Sequence, residues 1–331
     1  MDTEYNDRDS QYPAADPAYQ EPREPYVEPS THRAESSGWT TRHLLLAACC
    51  LALLIAVVAA FALLRPGNPF PVVMNGRYGY IDHGGKIVIP AQFNDAGMFE
   101  DGLAPVLSGQ KWGYADRSGK IVIAPTFDIA DPFSDDLALV GSGGKYGYID
   151  RKGVMVIRPI YQGAGRFTDG KAPVTMGSGW GYVDRNGRYV INPQFEEAGN
   201  FGNGLAPIRS GGRWGYVDGS GKIVIQPQFD EAGEFADGLG LVKAGGRFGY
   251  IEKNGRYAIN PQFDRAGEFS EGLAPVGIAG RYGYIDKRGR IAINPQFDHA
   301  GDFGHGLAPV WLGNRQGYID RDGKYVWPPT A

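Results

Sequence analysis

The chain has 331 residues, with 50 Gly, 23 Pro, two Cys and a formal net charge of -4. Cys49 and Cys50 are adjacent inside an apolar run, which leaves the rest of the chain without a disulfide framework or a cysteine zinc site. Beyond residue 42, 29 Lys/Arg stand against 28 Asp/Glu, so there is no basic footprint for nucleic acid.

Residues 1–42 are rich in Pro, Tyr and acid, with nine Asp/Glu against four Arg. Such a composition buries too little apolar surface to offset its ordering entropy, which predicts a disordered tail. Tyr5, Tyr12, Tyr19 and Tyr26 fall seven apart, either as a docking or phosphorylation tail or as a degenerate low-complexity repeat. Leu44 to Leu64 is an unbroken run of 21 uncharged residues. At about 1.5 Å per residue it is long enough for a bilayer core, and it predicts a transmembrane signal-anchor helix over 43–65. A cleaved signal has a shorter apolar region behind a short basic start. Here Ala60-Phe61-Ala62 lies inside the run, and Leu46-Ala47-Ala48-Cys49 stands at its wrong end for a lipoprotein box. Arg33 and Arg42 before the span and Arg65 and Arg77 after it leave the charge bias nearly flat. A single internal anchor followed by a large globular region favours a cytoplasmic tail, with residues 71–331 periplasmic or extracellular behind a short linker at 66–70.

From residue 71 the chain repeats. An aromatic-Gly-Tyr core recurs at Tyr78-Gly79-Tyr80, Trp112-Gly113-Tyr114, Tyr146-Gly147-Tyr148, Trp180-Gly181-Tyr182, Trp214-Gly215-Tyr216, Phe248-Gly249-Tyr250 and Tyr282-Gly283-Tyr284, then degrades to Gln316-Gly317-Tyr318. The step is always 34 residues, the mark of a repeat architecture. Tetratricopeptide units share this length, but the density of Gly and Pro and runs such as Ile223-Val224-Ile225 exclude helices. Each unit reads as four short strands: Leu-Ala-Pro-Val (as in Leu273 to Val276), the aromatic-Gly-Tyr strand, an Ile-Val-Ile strand closed by Pro, and a piece carrying Phe263, Ala266 and Phe269 or their equivalents. An Asp-x-x-Gly turn, as in Asp218 to Gly221, joins the second and third, with Asp bonding its own turn and Gly supplying positive φ.

Alternation puts Trp214 and Tyr216 on one strand face and Gly215 and Val217 on the other. With apolar residues on both faces, the units must stack. The glycine implies close approach by a neighbour's bulky side chain. The rings of Trp112, Trp180, Trp214, Phe248 and Tyr282, with Gly215, Tyr216, Asp218 and Gly221, are therefore structural anchors of the repeat; a sugar-stacking platform is the other use of such rings.

The Lys/Arg-Trp-Gly-Tyr-x-Asp-x-x-Gly-Lys-Ile-Val-Ile pattern, as in Lys111 to Ile123, resembles the bacterial WG-repeat (KWG) family over eight units from 71 to about 329. Departures are local: Pro90 is displaced by one residue, Asp131 and Asp136 replace Gly, Lys171 replaces Leu, and the eighth unit stops without its Phe segment. The resemblance implies an interaction or structural module and no enzyme. An open solenoid needs polar end caps, and none is visible, so a propeller-like closed ring is expected over an open curved β-solenoid. The eighth unit's missing strand weighs against closure.

No phosphate loop, nucleophile elbow, paired-His metal motif or calcium loop appears, and neither catalytic nor cofactor residues are assigned. The one irregular cluster is Asp298, His299, Asp302 and His305, a weak metal candidate whose positions fall in a loop. The function expected is a membrane-anchored, non-catalytic binding module of the cell envelope for a protein or envelope polymer. The alternatives are a structural spacer and a glycan-binding, or glycan-acting, protein.

Overall fold

The computed structural model describes residues 67–329. The expected tail and membrane helix of 1–65 lie outside the described residues. Among those described there are 31 strands and no helix, β1 to β31 in chain order. They form eight antiparallel sheets, each made from consecutive strands, in an eight-bladed β-propeller.

The second blade shows the pattern. A two-residue inner strand, β4 (Asp95–Ala96), pairs with β5 (Leu103–Ser108), then β6 (Lys111–Asp116), then β7 (Ile121–Phe127) outermost. A blade therefore begins at the piece that the sequence assigned to the end of a unit. The strand expected to be missing from the eighth unit is accordingly present. That blade holds β28 (His299–Ala300), β29 (Ala308–Leu312), β30 (Arg315–Ile319) and β31 (Tyr325–Trp327). The incomplete blade is the first, with only β1 (Phe70–Met74), β2 (Arg77–Ile81) and β3 (Ile87–Phe93). Phe70, placed in the linker by sequence, opens β1 and is fully buried.

Two strand-level expectations are corrected. Pro does not close the third strand: β7 runs through Pro125 to Phe127, which pairs with Trp112. It is an edge strand, so a residue without an N–H costs the ladder little there. Nor does a neighbour's side chain approach the repeated glycine. A Cβ on Gly215 would lie 2.4 Å from the Ile225 oxygen and 2.7 Å from the Pro227 nitrogen, both backbone atoms of the same sheet. The register slips between Trp214 and Tyr216 at that point, and the bulge brings the outer strand inward.

No blade has a core of its own. Tyr216, Ile225 and Phe229 of the fifth blade pack with Phe235, Val242 and Ile251 of the sixth, and the other junctions repeat this. The tyrosine of each aromatic-Gly-Tyr is among the largest fully buried side chains. Its hydroxyl donates across the junction to the next blade's inner segment: Tyr80 to Gly97 (3.0 Å), Tyr148 to Gly165 (2.7 Å), Tyr216 to Gly233 (2.9 Å), Tyr284 to Gly301 (2.8 Å). The next blade's Phe meets its ring, as with Tyr148 and Phe167 at 4.6 Å.

The ring closes by the same contacts with substitutes. Tyr318 has no inner strand ahead of it, and its hydroxyl donates instead to the Pro71 oxygen at 2.9 Å. Phe70 takes the place of the missing inner Phe, 5.4 Å from the Tyr318 ring. Phe70, Val72 and Ile81 form one cluster with Leu307 and Tyr318. The closed ring is the architecture, and the open solenoid is set aside.

Candidate functional site

A repeat this regular makes its irregular positions conspicuous. Each inner segment reads x-Ala-Gly-x-Phe or a close variant, and the residue before the Phe points toward the axis. Those residues are Met98, Pro132, Arg166, Asn200, Glu234, Glu268 and Asp302, no more than two of which share a residue type. Asp131 adds a carboxyl where the other blades have Gly.

Four of them, Arg166, Asn200, Glu234 and Glu268, form one network. Arg166 Nη2 lies 2.7 Å from Glu234 Oε2, two blades further on. The Glu234 Oε1 accepts from Asn200 Nδ2 at 2.6 Å, and Glu268 Oε1 accepts from the Glu234 backbone N–H at 2.7 Å. The glycines leave room for them. A Cβ on Gly165 would sit 2.2 Å from Asn200 Oδ1, one on Gly233 2.8 Å from Glu268 Oε1, and one on Gly267 2.8 Å from Asp302 Oδ1. Four carboxyls thus share the axis with one guanidinium. Burial pushes the Glu268 carboxyl up to about 7, with the Glu234 carboxylate adding to the rise and Arg166 opposing it. Burial also raises Asp302, and raises Asp131 against the pull of Arg166. The Asn200 Oδ1 and, nearby, the Thr168 Oγ1 are buried without a partner.

At one end the axis opens into a cavity of about 730 Å³ whose lining includes Asp131, Arg166, Asp302, Glu100, Asp135 and His305. Its lining includes the left-handed non-glycine turn residues Asp101, Asp135 and His305, and the same turn in other blades carries Asp169, Asp237 and Glu271. Several of these also tie blades together, as Asp169 Oδ2 accepts from the Gly204 N–H at 3.0 Å. The arrangement suits binding of a cationic group in a partly desolvated acidic channel. It contains no nucleophile–base pair.

The four residues weighed as a metal set are not brought together. Asp298 sits on the outer side with Arg281 at 2.6 Å. His299 stacks on Tyr282 at 5.0 Å between ring centres and tilts against Trp311. Asp302 is at the axis and His305 is on the rim, 3.4 Å from Glu100. No group of three or more His, Cys, Asp or Glu poised for a metal occurs among the described residues. Of the repeat anchors, Gly215 and Tyr216 are buried, while Trp112, Trp180, Trp214, Phe248 and Tyr282 are only half-buried beside the blade edge. Asp218 Oδ1 accepts from the Ser220 and Lys222 N–H groups at 2.9 and 3.1 Å, and Gly221 has φ 85°. The Ser220 hydroxyl holds the Asp218 carboxyl below the usual range. Sequence reading missed the axial set. Its signal was present as the variable position in Ala-Gly-x-Phe, a segment otherwise constant except for Asp131 in place of Gly.

No curated protein sequence matches the chain. Among solved structures, the fold is similar to dihydro-heme d1 dehydrogenase NirN in complex with DHE (14% identity, TM-score 0.53, covering 78% of this chain and 72% of that one). It is also similar to a eukaryotic initiation factor (10% identity, TM-score 0.51, 78% and 83%). BamB from Moraxella catarrhalis aligns at 15% identity and TM-score 0.49, over 78% and 90%. At such identities the likeness shows the fold alone. A family model described as WG containing repeat matches seven tandem stretches, 78–112, 112–146, 146–179, 180–214, 214–247, 248–281 and 282–315. With those matches spanning most of the chain, and the Trp-Gly-Tyr strands forming the third strand of each complete blade, the protein belongs to the WG containing repeat family.

Proposed function

We propose that this protein is a non-catalytic binding module of the cell envelope, anchored in the membrane by 43–65, with its tail cytoplasmic and its propeller on the outer side. Its partner enters the acidic axial cavity. One observation carries this reading: variation is concentrated at the axis, in a charged network that a structural ring does not need. An ion pair as open as Arg166–Glu234, whose guanidinium is half exposed, contributes little to stability, so its use is more readily understood in recognition. The acidic excess favours a cationic segment of a protein.

Photo-crosslinking in native membranes tests this. A crosslinking residue at Asp302 or Glu234 should give a discrete protein adduct, reduced in a chain that also carries Glu268→Gln and Asp131→Asn. A diffuse, glycosidase-sensitive adduct would instead support glycan binding. No adduct at any axial position would leave the spacer as the better reading. For topology, a reporter active only in the cytoplasm should be silent when fused after Ala331, and a bright signal would reverse the orientation.

A further inference from the structure

The first blade's missing strand leaves more than a gap in the pattern. β1 pairs with β2 through a tight turn at Asn75-Gly76, with Met74 opposite Arg77 and Val72 opposite Gly79. By the antiparallel alternation, the N–H and C=O of Val73 and the C=O of Pro71 then face away from β2. In the second blade the corresponding edge is covered: Leu107 pairs with Asp95, Val106 with Ala96, and the Pro105 oxygen accepts from the Gly97 N–H at 2.9 Å. Every complete blade is filled in this way by its own inner segment. In the first blade the Pro71 oxygen is held by Tyr318, and among the described residues no hydrogen-bond partner faces Val73.

The space is preserved. A cavity of about 510 Å³ lies against this edge, lined by Val72, Val73, Tyr78 and Ala96 and, from the eighth blade, Trp311 and Trp327. The eighth repeat departs from the pattern at this cavity. Gln316 replaces the aromatic ring, Trp311 stands where other blades have residues such as Leu107, Gly141 or Thr175, and Trp327 stands where they have Ile.

We propose that the inner edge of β1 is a docking slot for an extended peptide segment of a partner protein, of pattern Asx-apolar-Ala-Gly, which adds to the first blade as its fourth strand. The other seven blades hold a related segment covalently, with Asn or Asp first in five, Ala third in all seven and Gly fourth in six, and these supply the specificity. The Asx side chain caps the turn between the second and third strands, as Asn94 Oδ1 accepts from the Gly109 N–H at 3.0 Å and Asp298 Oδ2 from Gly313 at 2.6 Å. In the first blade that turn is Asn75-Gly76. In the fifth and sixth blades the next residue is charge-matched to its cross-strand neighbour, with Glu197 opposite Arg209 and Glu231 opposite Lys243. Opposite Val73, which is 44% exposed, an apolar residue belongs. Ala belongs opposite Val72, whose equivalents face Ala in every complete blade. The Gly N–H takes the Pro71 oxygen and the Gly oxygen takes Tyr318. Tyr216 already shows that one hydroxyl can lie within reach of both oxygens, 2.9 Å from Gly233 and 3.2 Å from Leu241. The segment ends there, because Phe70 occupies the place of the Phe that follows. This is strand addition to an exposed sheet edge. It involves none of the axial side chains, so it stands or falls separately from the axial reading.

The probe is fluorescein-labelled Phe-Asp-Val-Ala-Gly-Asn-amide, titrated by polarisation into the full-length protein in detergent. Saturable binding is expected, and the Val73 amide should become protected from hydrogen exchange. Replacing the peptide's Gly by N-methylglycine removes one hydrogen bond and should weaken binding about tenfold. Replacing its Ala by Leu should weaken it at least as much. Both changes are made on the peptide, so folding of the protein does not enter. Absence of saturable binding, or equal binding of the N-methylated peptide, overturns the proposal. So does protection of Val73 before peptide is added, which would mean that another part of the chain, or a second copy, already fills the slot. Binding of oligosaccharide with none of peptide would likewise assign the cavity to a different ligand.

Discussion

Gly215 and Gly211 differ in why they are glycine, and the difference is measurable. At Gly215 the backbone is crowded: any Cβ would strike the Ile225 oxygen and the Pro227 nitrogen, neither of which can rotate away. At Gly211, with φ 60°, nothing lies within 4 Å of a Cβ, so the cost of a side chain there is conformational alone. Gly215→Ala should therefore lose about 3 kcal/mol or more, in the manner of overpacking against a fixed wall. Gly211→Ala should lose about 1 kcal/mol. Chemical denaturation of the two variants checks the order, and equal losses would contradict the bulge geometry. Glu268 gives a residue-scale dependence on pH. Its carboxyl titrates at about 7 when folded against 4.5 in its reference state, so the folded protein binds the proton more tightly. The resulting stabilisation is full below the unfolded value and is lost as pH rises toward 7. Its ceiling is about 3 kcal/mol. Glu268→Gln should be relatively more stable at pH 8 than the parent and should flatten the change in melting temperature between pH 5 and 8.

At the scale of the element, the alternation in Trp214-Gly215-Tyr216 was legible, but depth was not. Tyr216 is sealed between blades while Trp214, on the same strand face, lies beside the outer strand and keeps partial exposure. A single strand carries no information on which of two like-facing rings meets the next blade. The tyrosine hydroxyl bond across 17 residues settles it in the structure. Tyr216→Ala should thus cost about 4 kcal/mol, in the range for buried aromatics. Trp214→Ala should cost clearly less, and the reverse order would mean that the half-exposed ring is the anchor. The Asp-x-x-Gly turns were readable because their bonds are local: Asp116 accepts from Ser118 and Lys120 within its own hairpin. The phase of the blade was not, since nothing in a cyclic pattern marks where a sheet begins. Phe70 shows the consequence. It occupies a position that is Ala104, Ala138, Ala172, Ala206, Ala274 or Ala308 in other blades, and consensus would favour Ala there. Because its ring replaces the absent inner Phe, Phe70→Ala should instead cost about 3–5 kcal/mol. A stabilised variant would show that the seam closes by some other contact.

For the whole molecule, the period predicted a ring or a stack, and what decided between them was contacts separated by more than two hundred residues, which no local pattern encodes. Tyr318 to Pro71, Phe70 to Tyr318 and His83 to the His305 oxygen all join the two ends. At Gly85 the seam uses a substitute contact, with the missing Cβ facing the Val326 backbone oxygen where that of Gly153 faces the Ile123 side chain. A closed ring has as many junctions as blades, so deleting one blade opens two. Removing residues 299–331 exposes Tyr284, Ile293 and Phe297 on the seventh blade and Phe70, Val72 and Ile81 on the first. In an open stack, loss of the terminal unit removes one junction and lowers stability by roughly one nearest-neighbour term. The ring predicts a larger effect: the truncated chain should aggregate or unfold without a cooperative transition, as two unpaired apolar faces and two sets of buried hydroxyls lose their partners together. Circular dichroism melts of the full and truncated chains in the same detergent make the comparison. A truncated chain that stays monodisperse, melts cooperatively and loses only about one-eighth of its β signal, the additive share of one unit, would mean that the junction at Tyr318 and Pro71 contributes little, and that the eight blades are held as a line and not as a circle.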